Sequence, residues 1–186
     1  MAVKDLTSLH SNTKMKFINH ITINELYRSC YIDPVDMDAA KDQGKINKLI
    51  SELYTKGDPL YLICKKRLAP APLDIESESV QIHFFEDDLN KETNCCAYLT
   101  HSTRTFEIYK RFWHAFDQVR LFKPYPDLSW EKLLSYEHNI FQEDKEGLKM
   151  FSFNFFECIV IKGLAGESLI VNYRKDFPLP SINSLI

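Results

Sequence analysis

Glycine is scarce in this chain: five in 186 residues is under 3%, against an average of about 7%. They are Gly44, Gly57, Gly147, Gly163 and Gly166, and no two fit GxGxxG or GxxxxGK[ST]. A phosphate cradle built from glycine backbone is thereby excluded. Met1-Ala2-Val3-Lys4-Asp5 leads into polar residues with no apolar stretch behind it, so no secretory signal is expected. The most apolar segment, Phe151 to Ile161, is broken by Ser152, Asn154 and Glu157 and falls far short of the ~20 residues needed to cross a bilayer. No membrane insertion is expected. There is no CxxC among the five cysteines (Cys30, Cys64, Cys95, Cys96, Cys158), and their odd number argues against a disulfide framework. Free thiols in a reducing, cytoplasmic setting follow, in the producing cell or in one the protein enters. Internal repeats, low-complexity tracts and Gly/Ser/Pro-rich linkers are also missing, so residues 1–186 read as a single domain.

Aromatic residues and unevenly spread charge are what the chain does have. Aromatics reach 13% and apolar residues 45%, enough for a dense core. The net charge is only −3, but residues 74–92 carry −6, residues 104–123 carry +3 and residues 127–146 carry −4. Local fields of this kind steer partners of opposite sign, and they also occur on plainly solvated surfaces.

Periodicity supplies the elements. Residues 1–14 read as a loosely ordered start. Thr22-Ile23-Asn24-Glu25 fits a capping box, predicting a short helix from Ile23 to about Tyr31. Asp33-Pro34 reads as a second helix start. Ile46, Leu49, Ile50 and Leu53 recur at three and four residues and predict a helix over about 45–54. Leu60 to Lys66 reads as a strand, and so does Val80 to Phe84, where Val80, Ile82 and Phe84 alternate with Gln81 and His83. Ala97 to Thr100 pairs back as another. The stripe Phe106, Tyr109, Trp113, Phe116 and Arg120 predicts a long helix over about 103–122. Ser129 opens a further helix over about 130–142. Phe151 to Ile161 reads as a strand that turns at 163–166 into Ser168 to Tyr173, a C-terminal β-hairpin. Residues 176–186, with Pro178 and Pro180, read as an extended tail. The fold class is α+β, a mainly antiparallel sheet packed by amphipathic helices.

The sharpest chemical pattern is a pair of triplets, His20-Ile21-Thr22 and His101-Ser102-Thr103. The pair resembles the two-histidine phosphoesterase family, in which two His-x-Thr motifs on neighbouring strands hold a cyclic or 2′-linked phosphate. That resemblance implies His20 and His101 as general base and acid, with Thr22 and Thr103 donating to the phosphoryl oxygens. The competing reading makes Thr22 and Thr103 helix caps. Cys95 or Cys96 with His83, His101, His114 or His138 is a weaker nucleophile pattern, since no flanking signature or helix start would lower a thiol pKa. Cys95, Cys96, His101, His114 and Asp117 lack the close paired spacings of a zinc site, so neither metal nor cofactor is expected. Lys65-Lys66-Arg67, with Lys110 and Arg111 beside Tyr109 and Trp113, mixes bases with aromatics. The same stripe is better explained as a helix face packed on a sheet, so nucleic acid is disfavoured.

The preferred reading is a non-catalytic, cytosolic protein-binding module of the immunity-protein, effector or viral-accessory type. Its expected contact surface is the acidic segment around Glu86, Asp87 and Asp88, suited to a protein partner with a basic surface.

Overall fold

A strand that reads apolar at every position, as Leu60-Tyr61-Leu62-Ile63-Cys64 does, has no side to offer to water, so both faces must be covered. The computed structural model describes residues 16–22, 26–54, 58–67, 75, 79–87, 92–100, 103–136, 155–163, 168–180 and 182, with the backbone alone at 16–22, 66–67, 86–87 and 92. The apolar run is β3 (Leu60–Arg67). Its companions are β1 (Lys16–Thr22), β2 (Tyr27–Asp33), β4 (Val80–Asp87), β5 (Glu92–Leu99), β6 (Phe116–Pro124), β7 (Phe156–Lys162) and β8 (Leu169–Arg174). They form one eight-stranded sheet in the order β1-β2-β8-β7-β6-β3-β5-β4. Every neighbouring pair is antiparallel. With three helices packed on this sheet, the fold is α+β.

Strand alternation sorts the side chains into two cores. Leu60, Leu62 and Cys64 of β3, Cys95 and Ala97 of β5, Val119 and Leu121 of β6 and Val160 of β7 point into the larger one. Tyr61, Ile63, Cys96, Phe122 and Ile159, at the intervening positions, point into the smaller one. The larger core is roofed by α1 (Ala40–Leu53) and α2 (Thr105–Ala115). These bury Ile46, Leu49, Ile50 and Leu53, and Phe106, Tyr109, Phe112 and Trp113, the two stripes visible in the sequence. On the opposite side α3 (Trp130–Leu134) and the loop before it seat Leu128 and Leu133 on the smaller core. Ser129 caps α3 as its position suggests, its Oγ accepting from the Lys132 N–H at 3.2 Å. A fully buried side chain of this size contributes about 1.5–3 kcal/mol of transfer free energy.

Several elements differ from expectation. Where a helix was expected over residues 23–31, the described part, 26–31, instead leads into β2, which pairs antiparallel with β1; residues 23–25 lie outside the described residues. Cys30 and Ile32 are buried at a spacing of two, and β2 is paired on both sides, by β1 and by β8. Twelve cross-strand residue pairs outweigh one local capping signal. Asp33 ends β2 rather than opening a helix, and α1 begins at Ala40. Its start is organised without a capping side chain at Ala39: Asp42 accepts from the Asp36 N–H at 3.1 Å, and Gln43 donates to the Met37 and Asp38 carbonyls at 3.2 and 3.1 Å.

The long helix expected over residues 103–122 stops at Ala115, and Phe116 begins β6 with no loop between. Phe112, Phe116 and Val119 keep the helical spacing of four and three past the point where the helix ends, so the stripe looked continuous. From Val119 onward the period is two, and pairing to β3 and β7 fixes it. Lys162 of β7 reaches across to the broken end, its Nζ donating to the Trp113 and Phe116 carbonyls at 2.7 Å each.

The C-terminal hairpin of β7 and β8 is present, closed by the Gly163 N–H donating to the Ser168 carbonyl at 2.8 Å. The tail does not lie along the surface: Phe177, Leu179 and Ile182 are buried in the larger core. Residues 1–14, 137–154 and 183–186 lie outside the described residues.

Candidate functional site

The segments that carry the two His-x-Thr triplets lie far apart along the sheet: His20 and Thr22 belong to β1 at one edge, while Thr103 follows β5 near the other edge. Five strands stand between β1 and β5. Six inter-strand steps of about 4.8 Å make roughly 29 Å along the sheet, where one phosphate needs its two imidazoles within roughly 5–8 Å. His101 itself lies outside the described residues, as do the side chains of His20 and Thr22. Neither threonine is the cap that the competing reading made it. Thr22 ends a strand, and the cap position of α2 is Arg104, with no side-chain capping bond.

All five cysteines are free and buried, as their number and spacing implied. Cys95 and Cys96 face opposite cores. Burial pushes the Cys30 thiol up to about 11, and it pushes Cys64 and Cys158 well above the ordinary thiol range. Thiols held protonated in this way are poor nucleophiles. Among the described residues no group of three or more His, Cys, Asp or Glu is placed to hold a metal ion. The basic-aromatic mixture on α2 is not a stacking surface: Tyr109 and Trp113 are buried beneath the helix, and Lys110 pairs with Asp38 at 2.8 Å. No helix among the described residues is long and apolar enough to cross a membrane.

The acidic segment falls at the end of β4, which among the described residues is an edge strand paired only with β5. Its register sets Glu86 opposite Thr93 and Asp87 opposite Glu92, so three acidic positions share one corner of the sheet. Asp88 lies outside the described residues, and of Glu86 and Asp87 the backbone alone is described. Phe84, just before the corner, is 44% exposed on the face away from the smaller core.

A feature that the sequence did not announce lies at the other end of the same ladder. Tyr61 of β3 and Tyr98 of β5 are paired across the sheet, and Trp130 of α3 completes a triangle of rings with centroids 5.8, 5.8 and 5.9 Å apart. Tyr61 donates its hydroxyl to the Leu128 carbonyl at 2.8 Å, and burial pushes its pKa up to about 12. These rings line a cleft of about 400 Å³ shared with Gln81, Asp58, Ser129, Glu131 and the Pro124-Tyr125-Pro126 turn.

Asp58 is fixed by Lys123, whose Nζ lies 2.9 Å from Oδ2 and whose side chain is 2% exposed. A second opening, of about 440 Å³, shares Asp58 and Pro126 and adds Glu157, Arg174 and Asp176. There Arg174 grips Asp176 through Nε and Nη2 at 2.9 and 2.6 Å and lies over the Tyr125 ring, 5.7 Å from its centroid. That grip holds the Asp176 carboxyl below the usual carboxylate range. Tyr125 is held in turn by the Tyr27 hydroxyl at 2.7 Å. The aromatic triangle draws on three separate elements, β3, β5 and α3. No local pattern could have assembled it.

Compared with known proteins, the chain matches no family model, no curated protein and no solved structure.

Proposed function

We propose that this chain is a non-catalytic protein-binding module of the immunity-protein, effector or viral-accessory type, docking a partner with a basic surface in a reducing cytoplasm. The observation that carries the reading is the acidic corner at the end of β4, where Asp87 stands opposite Glu92 of β5 and Glu86 precedes it. An edge strand presents unpaired backbone groups to a partner. A one-signed corner beside it attracts the opposite sign and fixes orientation. The five buried free thiols suit a compartment without disulfide exchange.

The test is affinity capture by the wild-type chain and by Glu86→Lys/Asp87→Lys/Asp88→Lys, with melting curves to show that the variant is folded. The expected result is a specific partner that the wild type retains, that rising salt releases, and that the reversed variant loses by tenfold or more. Equal capture of that partner by both proteins refutes the reading.

A further inference from the structure

We propose that the cleft between Tyr61, Tyr98 and Trp130 is an anchoring pocket for a guanidinium group, the side chain of an arginine on the docking partner. The partner's protein nature rests on the reading above, while the chemistry of the pocket stands on its own residues. Three aromatic rings form its walls, with Trp130 and Tyr98 half-buried and so open to a ligand. Ring faces attract cations, and a planar, weakly hydrated cation stacks on them at the least desolvation cost.

The charge balance selects guanidinium over a compact ammonium. Four acids line the two adjoining openings: Asp58, Glu131, Glu157 and Asp176. Asp58 is bound to Lys123 and Asp176 to Arg174, and no ion pair to Glu131 or Glu157 is present among the described residues. A lysine ammonium entering the aromatic cleft would give up its tightly held water with only Glu131 there to replace it. A guanidinium spreads its charge and offers five N–H donors, for which Gln81, Ser129 and Glu131 are acceptors along the lining. The protein uses the same recognition within itself next door, where the Arg174 guanidinium covers the Tyr125 ring and forks onto Asp176.

The experiment is an NMR titration of the full chain with N-acetyl-arginine amide, following the two tryptophan indole N–H signals. The comparison ligands are N-acetyl-lysine amide and N-acetyl-citrulline amide, a neutral isostere of arginine. The expected result is a saturable shift of Trp130, with Trp113, buried beneath α2, unmoved. Lysine binds about fivefold or more weakly, citrulline weaker still, and Glu131→Gln loses roughly three- to tenfold in affinity for arginine. Trp130→Ala abolishes binding, and Glu131→Gln, a change on an exposed residue, keeps the test valid if Trp130→Ala fails to fold. Absence of a saturable Trp130 shift at tens of millimolar arginine overturns the proposal, and so does citrulline or lysine binding as tightly as arginine. The Glu86→Lys/Asp87→Lys/Asp88→Lys variant separates the two readings. If it loses the partner yet arginine does not bind Trp130, the pocket alone is refuted; if arginine binds and the variant keeps the partner, the acidic corner alone is refuted.

Discussion

Lys123 offers the most decisive test of the energetics under the cleft. Its side chain is 2% exposed, and Asp58, 2.9 Å from Nζ, is 45% exposed, so the ammonium has left water while the carboxylate has not. Replacing Asp58 by Asn keeps the shape and removes the charge, so the buried ammonium loses the Asp58 carboxylate. Breaking buried pairs in this way costs about 3–5 kcal/mol, and the exposure of Asp58 puts the expected value near the lower bound, about 3 kcal/mol. With a urea m-value of about 2 kcal/mol/M, the unfolding midpoint of Asp58→Asn falls by about 1.5 M. Lys123→Met removes the desolvated charge together with its need for a partner, and should lie within about 1 kcal/mol of wild type. The double variant should match Lys123→Met, a coupling of about 3 kcal/mol in the cycle. Because one partner is buried, added salt should change the wild-type midpoint little through this pair. Equal losses in the two single variants, or a loss in Asp58→Asn below about 0.5 kcal/mol, would show that the pair behaves as an ordinary surface bridge and refute the reasoning.

Arg120 is the opposite case. Its Nη2 donates to Gln118 at 2.7 Å, Nη1 has no partner among the described residues, and burial lowers its pKa to about 10. Arg120→Met should therefore be neutral or stabilising by about 1 kcal/mol in urea unfolding, and a loss above about 2 kcal/mol would mean that the guanidinium holds something it needs. At Gly163 a Cβ would overlap the Ser168 side chain, with the Ser168 carbonyl oxygen only 3.1 Å away. Gly163→Ala should cost about 1–3 kcal/mol and be largely rescued by Ser168→Gly; a melting temperature unchanged in the single variant would contradict this.

The thiol of Cys30 is raised by burial from an ordinary 9 to about 11. Above pH 9 the unfolded chain sheds this proton while the folded one keeps it, so stability falls as pH rises from 9 to 11. The fall is about 2 kcal/mol from this group. Cys30→Ala should flatten part of that slope in urea midpoints measured across pH 8–11, and an unaltered slope would sink the assignment.

The sequence reveals those parts of the fold that short-range periodicity alone decides. β3 and β5 are apolar enough to be read as strands, α1 shows its face at Ile46, Leu49, Ile50 and Leu53, and Ser129 marks the start of α3. Errors arose where two periods overlap or where a local signal competes with distant pairing. Phe112, Phe116 and Val119 keep the helical spacing beyond the helix end, and only pairing with β3 and β7 makes residues 116–124 a strand. Thr22 and Glu25 spell a cap, but β2 is held by β8, which lies more than 130 residues away in the chain. The acidic corner could be anticipated because its charge is contiguous in sequence. The aromatic cleft could not, since its rings come from positions 61, 98 and 130, and strand register alone joins the first two.

The two surfaces complement each other because they share one ladder. Gln81 stands opposite Tyr98 at the cleft, and Asp87 opposite Glu92 at the corner, six positions further along β4. At about 3.4 Å per residue the two lie roughly 20 Å apart, beyond the Debye length of about 8 Å at physiological ionic strength. On the proposed reading they would act on a partner at different stages of docking: the corner's charge would govern encounter and lose influence with salt, whereas a stacked guanidinium, largely desolvated, would govern how long the complex lasts. Neutralising Glu86, Asp87 and Asp88 should lower the association rate and its salt dependence with little change in dissociation. Glu131→Gln should do the reverse. A partner segment engaging both must also span about six extended residues between its basic cluster and its anchoring arginine. A bound peptide whose arginine sits immediately beside its basic cluster would show that the cleft and the corner do not serve one partner.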